Sequence, residues 1–216
     1  MFILNQQNSI ANTFLAEIRN IKVQNDRLRF RKNLERLGEL LAYEISKSLS
    51  FKQELITTPL KETSLNLISD QPVLISVLRA AMPFYQGFLN IYDQADSGFI
   101  GAYRTEEVKD GAEIEISLLY QAAPNIEGKE VILIDPMLAS GKSFLKSIEN
   151  LKKNGTPKMI HIASVIAAPE GVDFLKQNIN LPYKLWTCAL DEKLNPNSYI
   201  VPGLGDAGDL AFGQKL

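Results

Sequence analysis

The chain is short of the residues that most often do chemistry. It has one cysteine, Cys188, so it can close no intrachain disulfide and build no cysteine-based metal site. It has one histidine, His161, which removes most zinc-ligand sets and most nucleophile–histidine schemes. Both fall in apolar stretches that read as strands, where packing roles are expected. No charge of either sign dominates: 23 lysines and arginines face 25 aspartates and glutamates, a formal net charge of −2. That balance supplies no field to draw the protein onto nucleic acid or an anionic membrane. Long hydrophobic runs are missing as well. The longest, such as Val131 to Ile134, are strand-sized and far below the roughly 20 residues that cross a bilayer. The opening Met-Phe-Ile-Leu-Asn-Gln-Gln-Asn lacks the basic start and apolar core of a signal peptide. The expectation is a cytoplasmic protein whose partners are neither nucleic acid nor membrane.

What is present suits a folded α/β protein. Apolar residues make up 45% and charged residues 22% of 216, enough for one substantial domain. No repeat, low-complexity stretch or flexible linker divides it, so a single domain over residues 1–216 is expected. A cationic cluster, Lys22, Arg27, Arg29, Arg31, Lys32 and Arg36, is interrupted by Asp26 and Glu35 and reads as a solvated helix face. The apolar steps Phe30, Leu34, Leu37, Leu41, Ile45 and Leu49 predict an amphipathic helix. Val73 to Leu78 is a continuous apolar run, as expected of a strand buried on both faces. Further along, the pattern predicts a helix over 82–92 and strands over 99–103, 130–135, 159–167 and 183–189. Helices are expected over 142–154 and 170–177. Between them, Ala112 to Leu118 alternates apolar and polar after the turn signal Lys109-Asp110-Gly111, so residues 104–124 read as an antiparallel flap. Strands alternating with helices imply a parallel sheet with right-handed crossovers. Ligands then belong beyond the strands' carboxyl ends, in the loops after Leu78, Tyr103 and Ile134.

The loop after Ile134 is the most informative segment. It reads Asp135-Pro136-Met137-Leu138-Ala139-Ser140-Gly141-Lys142-Ser143: a carboxylate at a strand tip, small residues, then a helix start. The first N–H groups of a helix lack intrahelical partners and carry partial positive charge, so such an end accepts anions. Ser140 and Ser143 add hydroxyls, Lys142 a cation, and Asp135 an acceptor for ribose hydroxyls or a metal-bound water. Gly141-Lys142-Ser143 also ends a P-loop, but that motif needs glycine where this chain has Pro136, which has no N–H to donate. An ordinary turn without a ligand stays open for this loop taken alone.

Near the other end lies Tyr199-Ile200-Val201-Pro202-Gly203-Leu204-Gly205-Asp206-Ala207-Gly208-Asp209. Glycine at this density weakens regular structure and exposes backbone groups, which a flat base with alternating donors and acceptors can match. Pro202, with Tyr199, Ile200 and Phe212 as apolar anchors, argues against a loose tail. Together the two segments resemble the uracil phosphoribosyltransferase family, whose stretches read D-P-M-L-A-T-G-G-S and Y-I-V-P-G-L-G-D-A-G-D. Leu41 to Glu44, Thr58 to Leu60, Val73 to Ala80 and Gly101 to Arg104 extend the resemblance over roughly residues 19–213.

The resemblance implies a phosphoribosyltransferase fold: a parallel sheet flanked by helices, with a β flap and a small hood built from the chain ends, the latter over 183–216. It implies that uracil and 5-phospho-α-D-ribose 1-diphosphate give UMP and diphosphate. Asp135, Pro136, Met137, Leu138, Ala139, Ser140, Gly141, Lys142 and Ser143 would embrace the 5-phosphate and ribose. Arg79 and Arg104 would face the diphosphate, and Ile200, Gly205, Asp206 and Ala207 would present the base edge. The catalytic set it suggests is Arg79, Arg104, Asp135 and Asp206. Mg²⁺ would be held mainly by the substrate, near Asp206, with no direct protein metal site. A homodimer or larger homo-oligomer, and GTP as an effector, follow from the family alone. Departures stand out: Lys142 replaces a glycine, Ser140 a threonine, Ala81 a glycine, and the flap end Leu119-Tyr120-Gln121-Ala122-Ala123-Pro124 lacks a lysine. The rivals are a non-catalytic, nucleotide-binding member of the same fold and a P-loop nucleoside kinase.

Overall fold

The computed structural model describes residues 1–104 and 116–214. Short β1 (Phe2–Ile3) leads to helices α1 (Ala11–Arg19) and α2 (Arg27–Ser46), and a hairpin of β2 (Phe51–Thr57) and β3 (Glu62–Ile68) follows. Next come β4 (Val73–Leu78), α3 (Met82–Ile91), β5 (Ser97–Arg104), β6 (Ile116–Ala122), β7 (Glu130–Ile134) and β8 (Met137–Leu138). The chain continues through α4 (Lys142–Leu151), β9 (Met159–Ala167), α5 (Pro169–Asn178), β10 (Tyr183–Leu190), β11 (Lys193–Leu194), β12 (Ile200–Val201) and α6 (Ala207–Phe212). The elements expected from residue 30 onward appear within a few residues of their expected bounds. The central part of the expected flap, residues 105–115, lies outside the described residues. Its flanks do pair antiparallel, Arg104 with Ile116 and Tyr103 with Ser117.

The main sheet runs β1-β10-β9-β7-β4-β5-β6, with β8 added against β9. All its pairings are parallel except β5 with β6. The chain places β5 beside β4 on one side, then returns to place β7, β9 and β10 on the other. That change of direction opens a crevice at the carboxyl ends of β4 and β7.

The continuous apolar runs divide their side chains between two cores. Leu74, Ile132, Ile134, Ala163 and Val165 pack with Leu34, Leu37 and Leu41 of α2 and Phe84 and Phe88 of α3. Val73, Ile75, Val131, Leu133 and Ile162 pack on the opposite face with Phe144 and Ile148 of α4 and Leu175 of α5. A strand with alternate residues in two cores has no polar side to show, which is why these runs read as unbroken. Among the described residues, no helix is long and apolar enough to cross a membrane.

His161 and Cys188 sit inside this framework. The Trp186 indole donates to His161 Nδ1 at 3.1 Å, and His161 Nε2 lies 2.9 Å from Glu130 Oε2. With Nδ1 accepting, the proton belongs on Nε2, directed at the carboxylate. Burial pulls the imidazole below its usual value, opposed by the Glu130 contact. Burial likewise pushes the Cys188 thiol far up, so both residues are structural.

Several cations of the first helices, Arg29, Arg31 and Lys32 among them, make contacts within the chain. Arg29 and the Asn33 amide both donate to the Glu17 carboxyl and hold it at about 2. Lys32 pairs with Glu35 at 2.7 Å, and Arg31 donates to Ala211 O at 2.8 Å. α2 and α3 meet at two glycines: a Cβ on Gly87 would stand 2.1 Å from Glu35 O, and one on Gly38 2.2 Å from Phe84 O. No rotamer relieves a backbone clash, so the helices would have to separate. Gly87→Ala is expected to cost about 1–3 kcal/mol, seen as a lower urea midpoint with an unchanged slope; a midpoint equal to wild type would show that the helices yield freely.

Candidate functional site

The segment from Asp135 to Ser143 is stitched down before it reaches α4. Asp135 N–H donates to Ala163 O at 3.1 Å, and the Pro136 carbonyl accepts from both Val165 and Ile166 N–H. Asp135 Oδ1 then accepts from Met137 N–H at 3.0 Å, turning the chain so that Met137 and Leu138 pair with Ile166 and Ala167. Pro136 is thus useful where it stands: its carbonyl takes two strand donors and its missing N–H costs nothing. Gly141 at φ 78° caps α4 with no side-chain bond, and Leu145 N–H is donor to its carbonyl. The amides of Lys142, Ser143 and Phe144 open the helix and lie in its first turn, where intrahelical acceptors are lacking. Ser140, Lys142 and Ser143 are partly exposed there.

The neighbouring strand supplies the second wall. Ser76 of β4 pairs with Ile134 of β7, so the Arg79 and Asp135 segments leave adjacent strands from one edge. Arg79 Nη2 donates to Asp209 Oδ1 at 3.0 Å and to Gly213 O at 2.8 Å, while its Nε is buried. The glycine-rich tail therefore lies directly on the loop after β4. A Cβ on Gly208 would meet Asp206 Oδ1 at 3.2 Å, Arg79 Nε at 3.7 Å and Ala80 Cβ at 3.8 Å.

Here the structure differs from the irregular tail that the glycine content suggests. Ile200 and Val201 pair antiparallel with Leu194 and Lys193, and residues 207–212 form α6. Asp206 makes this short helix possible: its Oδ1 accepts from Asp209 N–H at 2.9 Å, an N-cap. Ile200 and Ala207 are buried, whereas Gly205 is exposed and Asp206 partly so. The structure thus joins Arg79, Asp206 and Asp209, with the Asp135–Ser143 loop one strand away. Arg104 ends β5 farther along the same edge, its backbone paired with Ile116.

A crevice at a topological switch point, an anion-accepting helix start and a capped glycine tail fit a sugar phosphate carrying a base. The sequence matches the family described as uracil phosphoribosyltransferase over residues 5–214. This chain belongs to that family. A uracil phosphoribosyltransferase of Porphyromonas gingivalis is 45% identical over 213 residues, covering 99% of this chain and 98% of the relative. One from Lactococcus lactis subsp. cremoris is 39% identical over 188 residues, 86% of this chain and 87% of the relative. A solved protein of Aquifex aeolicus, 28% identical, superposes with a TM-score of 0.84 over 96% of each chain.

Two departures from the uracil phosphoribosyltransferase pattern acquire a location. Ala81 has φ −71°, a helical value that costs an alanine nothing, and its methyl is fully buried in the core shared with α2 and α3. It does not protrude into the crevice. Lys142 is the first residue of α4, in the turn where the helix dipole is positive. Sequence reasoning missed Asp209 as the acid that orients Arg79; its presence in the tail motif was the available signal.

The N-cap gives a separable test. Asp206→Ala removes the acceptor and should cost about 1 kcal/mol, whereas Asp206→Asn keeps a capping oxygen and should unfold like wild type. Equal urea midpoints for the alanine variant and wild type would mean that the cap does not hold α6.

Proposed function

We infer that this chain is a uracil phosphoribosyltransferase, joining uracil to 5-phospho-α-D-ribose 1-diphosphate and releasing UMP and diphosphate. The observation that carries the reading is the seating of the uracil-family tail on Arg79, at the crevice where β4 and β7 part. The amides from Ala139 to Ser143 receive the 5-phosphate, with the Ser140 and Ser143 hydroxyls and Lys142 around it. Asp135 takes the ribose hydroxyls. Ile200, Gly205 and Ala207 present backbone groups to the edge of uracil, and Asp206 lies between the base and the leaving group. The chain ends, 183–216 with α1, act as a hood over the crevice within one domain.

In the reaction the C1–O bond to diphosphate breaks as the bond from C1 to the uracil ring nitrogen forms, and the proton of that nitrogen passes to the released diphosphate or to water. The ribose becomes oxocarbenium-like while negative charge collects on the diphosphate. Arg79, oriented by Asp209, and Arg104 stabilise that charge more as it grows, which is what lowers a barrier. Holding base and sugar in line removes the entropy of bringing them together.

Among the described residues, no group of three or more acidic, histidine or cysteine side chains is placed to hold a metal. In this reading Mg²⁺ arrives with the diphosphate, and Asp206 would offer it one carboxylate. When bound, the ion supplies charge neutralisation on the leaving group.

The assay mixes the protein with Mg²⁺, the phosphoribosyl donor and labelled uracil and follows UMP. UMP is expected from uracil and none from uridine with ATP; the reverse result, or tight UMP binding without turnover, would overturn the reading. Asp206→Asn, which keeps the helix cap, should lower kcat by roughly a hundredfold if the carboxylate charge acts in the transition state.

A further inference from the structure

The base loop is gripped from behind by a partly buried arginine paired with a buried aspartate, both of which bond Gly203. Asp191 follows β10, and its N–H donates to Ala167 O at 2.8 Å, fixing it at the carboxyl edge of the sheet. Its side chain is only 4% exposed. Asp191 Oδ1 accepts from Arg19 Nη2 at 2.6 Å, and Oδ2 accepts from Arg19 Nη1 at 2.9 Å. Oδ2 also accepts from Gly203 N–H at 2.9 Å, and Arg19 Nη1 donates back to Gly203 O at 3.0 Å. Both polar groups of one peptide residue are thus held by a single planar pair. Gln24 extends the grip, its amide donating to Ile18 O at 3.0 Å and Leu204 O at 3.1 Å.

Gly203 cannot be replaced in this arrangement. It has φ 63°, and a Cβ there would lie 2.1 Å from Ile200 O. The turn between Ile200 and Gly205 therefore has one shape, and its position depends on what holds Gly203. A buried carboxylate with three donors, two of them from one bidentate guanidinium, is geometrically demanding. Arg19 reaches Asp191 across 172 residues and Gly203 O across 184, so the N-terminal helix becomes part of the base site.

We propose that Asp191 and Arg19 are positioning residues for uracil. They act through Gly203 to hold the backbone groups of Ile200 and Gly205 in register with the base edge, and they leave the phosphoribosyl side untouched. This rests on the functional reading above. It predicts a selective effect, because Gly203 sits in the turn that faces the base, while Asp206 and Arg79 are placed by separate bonds to Asp209.

The test compares wild type, Asp191→Asn and Arg19→Lys in UMP formation, with KM measured separately for uracil and for the phosphoribosyl donor. Asparagine keeps the shape but loses the charge and one acceptor; lysine keeps the charge but cannot bind in bidentate fashion. In each variant the KM for uracil should rise roughly tenfold while that for the donor stays within about twofold, the loss expected of one charge-assisted contact. If Asp191→Asn does not fold, Arg19→Lys carries the same ratio test alone. An unchanged KM for uracil, equal rises for both substrates, or a fall in kcat alone would overturn the proposal. A wild type that makes no UMP would remove the functional reading itself, which separates the two failures.

Discussion

Between β4 and β7 the chain stops extending the sheet in one direction and resumes in the other, so two neighbouring strands send their following loops apart. Everything at the site depends on that parting. Ser76 and Ile134 are the last partners of the two strands, and beyond them Arg79 goes one way and Asp135 the other. The gap between them is bounded by backbone that the sheet holds rigid. A ligand placed there meets one helix start from the Asp135 side and one cation from the Arg79 side. The tail then closes the third side, because Asp209 and Gly213 O bond Arg79.

That rigidity comes from packing on both faces. The strands are fully buried between α2 and α3 on one side and α4 and α5 on the other. The first pair is locked by facing glycines, which bring helix backbones closer than any larger side chain allows. Precise placement of loops requires such a frame, since an error of about 1 Å at a reacting centre can cost a hundredfold in rate. The chain ends pack Leu15, Ile18, Leu204 and Ala211 into the same core and add polar ties: Glu17 with Arg29 and Asn33, Arg31 with Ala211, and Arg19 with Asp191.

Much of this was legible in the sequence where one element answers to one local pattern. The runs 73–78, 130–134 and 159–167 are apolar at every or nearly every position because both faces are covered. The tail motif is legible because its letters are specific, and its contact with Arg79 joins residues 130 apart, a pairing no periodicity encodes. The β2–β3 hairpin escaped because most of both strands is exposed and polar residues such as Lys52, Gln53, Glu54, Ser64 and Asn66 break up its apolar positions. What sets its register is Thr58, whose hydroxyl accepts from Lys61 N–H and donates to Lys61 O across the turn. Helix α6 escaped because Gly208 lowers its propensity; the Asp206 cap and the Arg31 bond to Ala211 O supply what the sequence lacks locally. The short α1 gave too little periodicity to separate from its surroundings.

Phosphate and base are assigned to different loops, and one structure decides between this assignment and its alternative. A crystal structure with UMP and Mg²⁺-diphosphate should show the nucleotide phosphate on the amides of residues 139–143 and the uracil ring against residues 200–207. A groove of about 580 Å³ runs along this tail between Leu204, Gly205, Asp206, Asp209 and Leu210 and the residues Gln24, Asn25 and Arg27, so the base end of the site opens into it. Nucleotide density in that groove, with the Asp135–Ser143 loop left bare, would contradict the assignment of the site to the β4–β7 crevice.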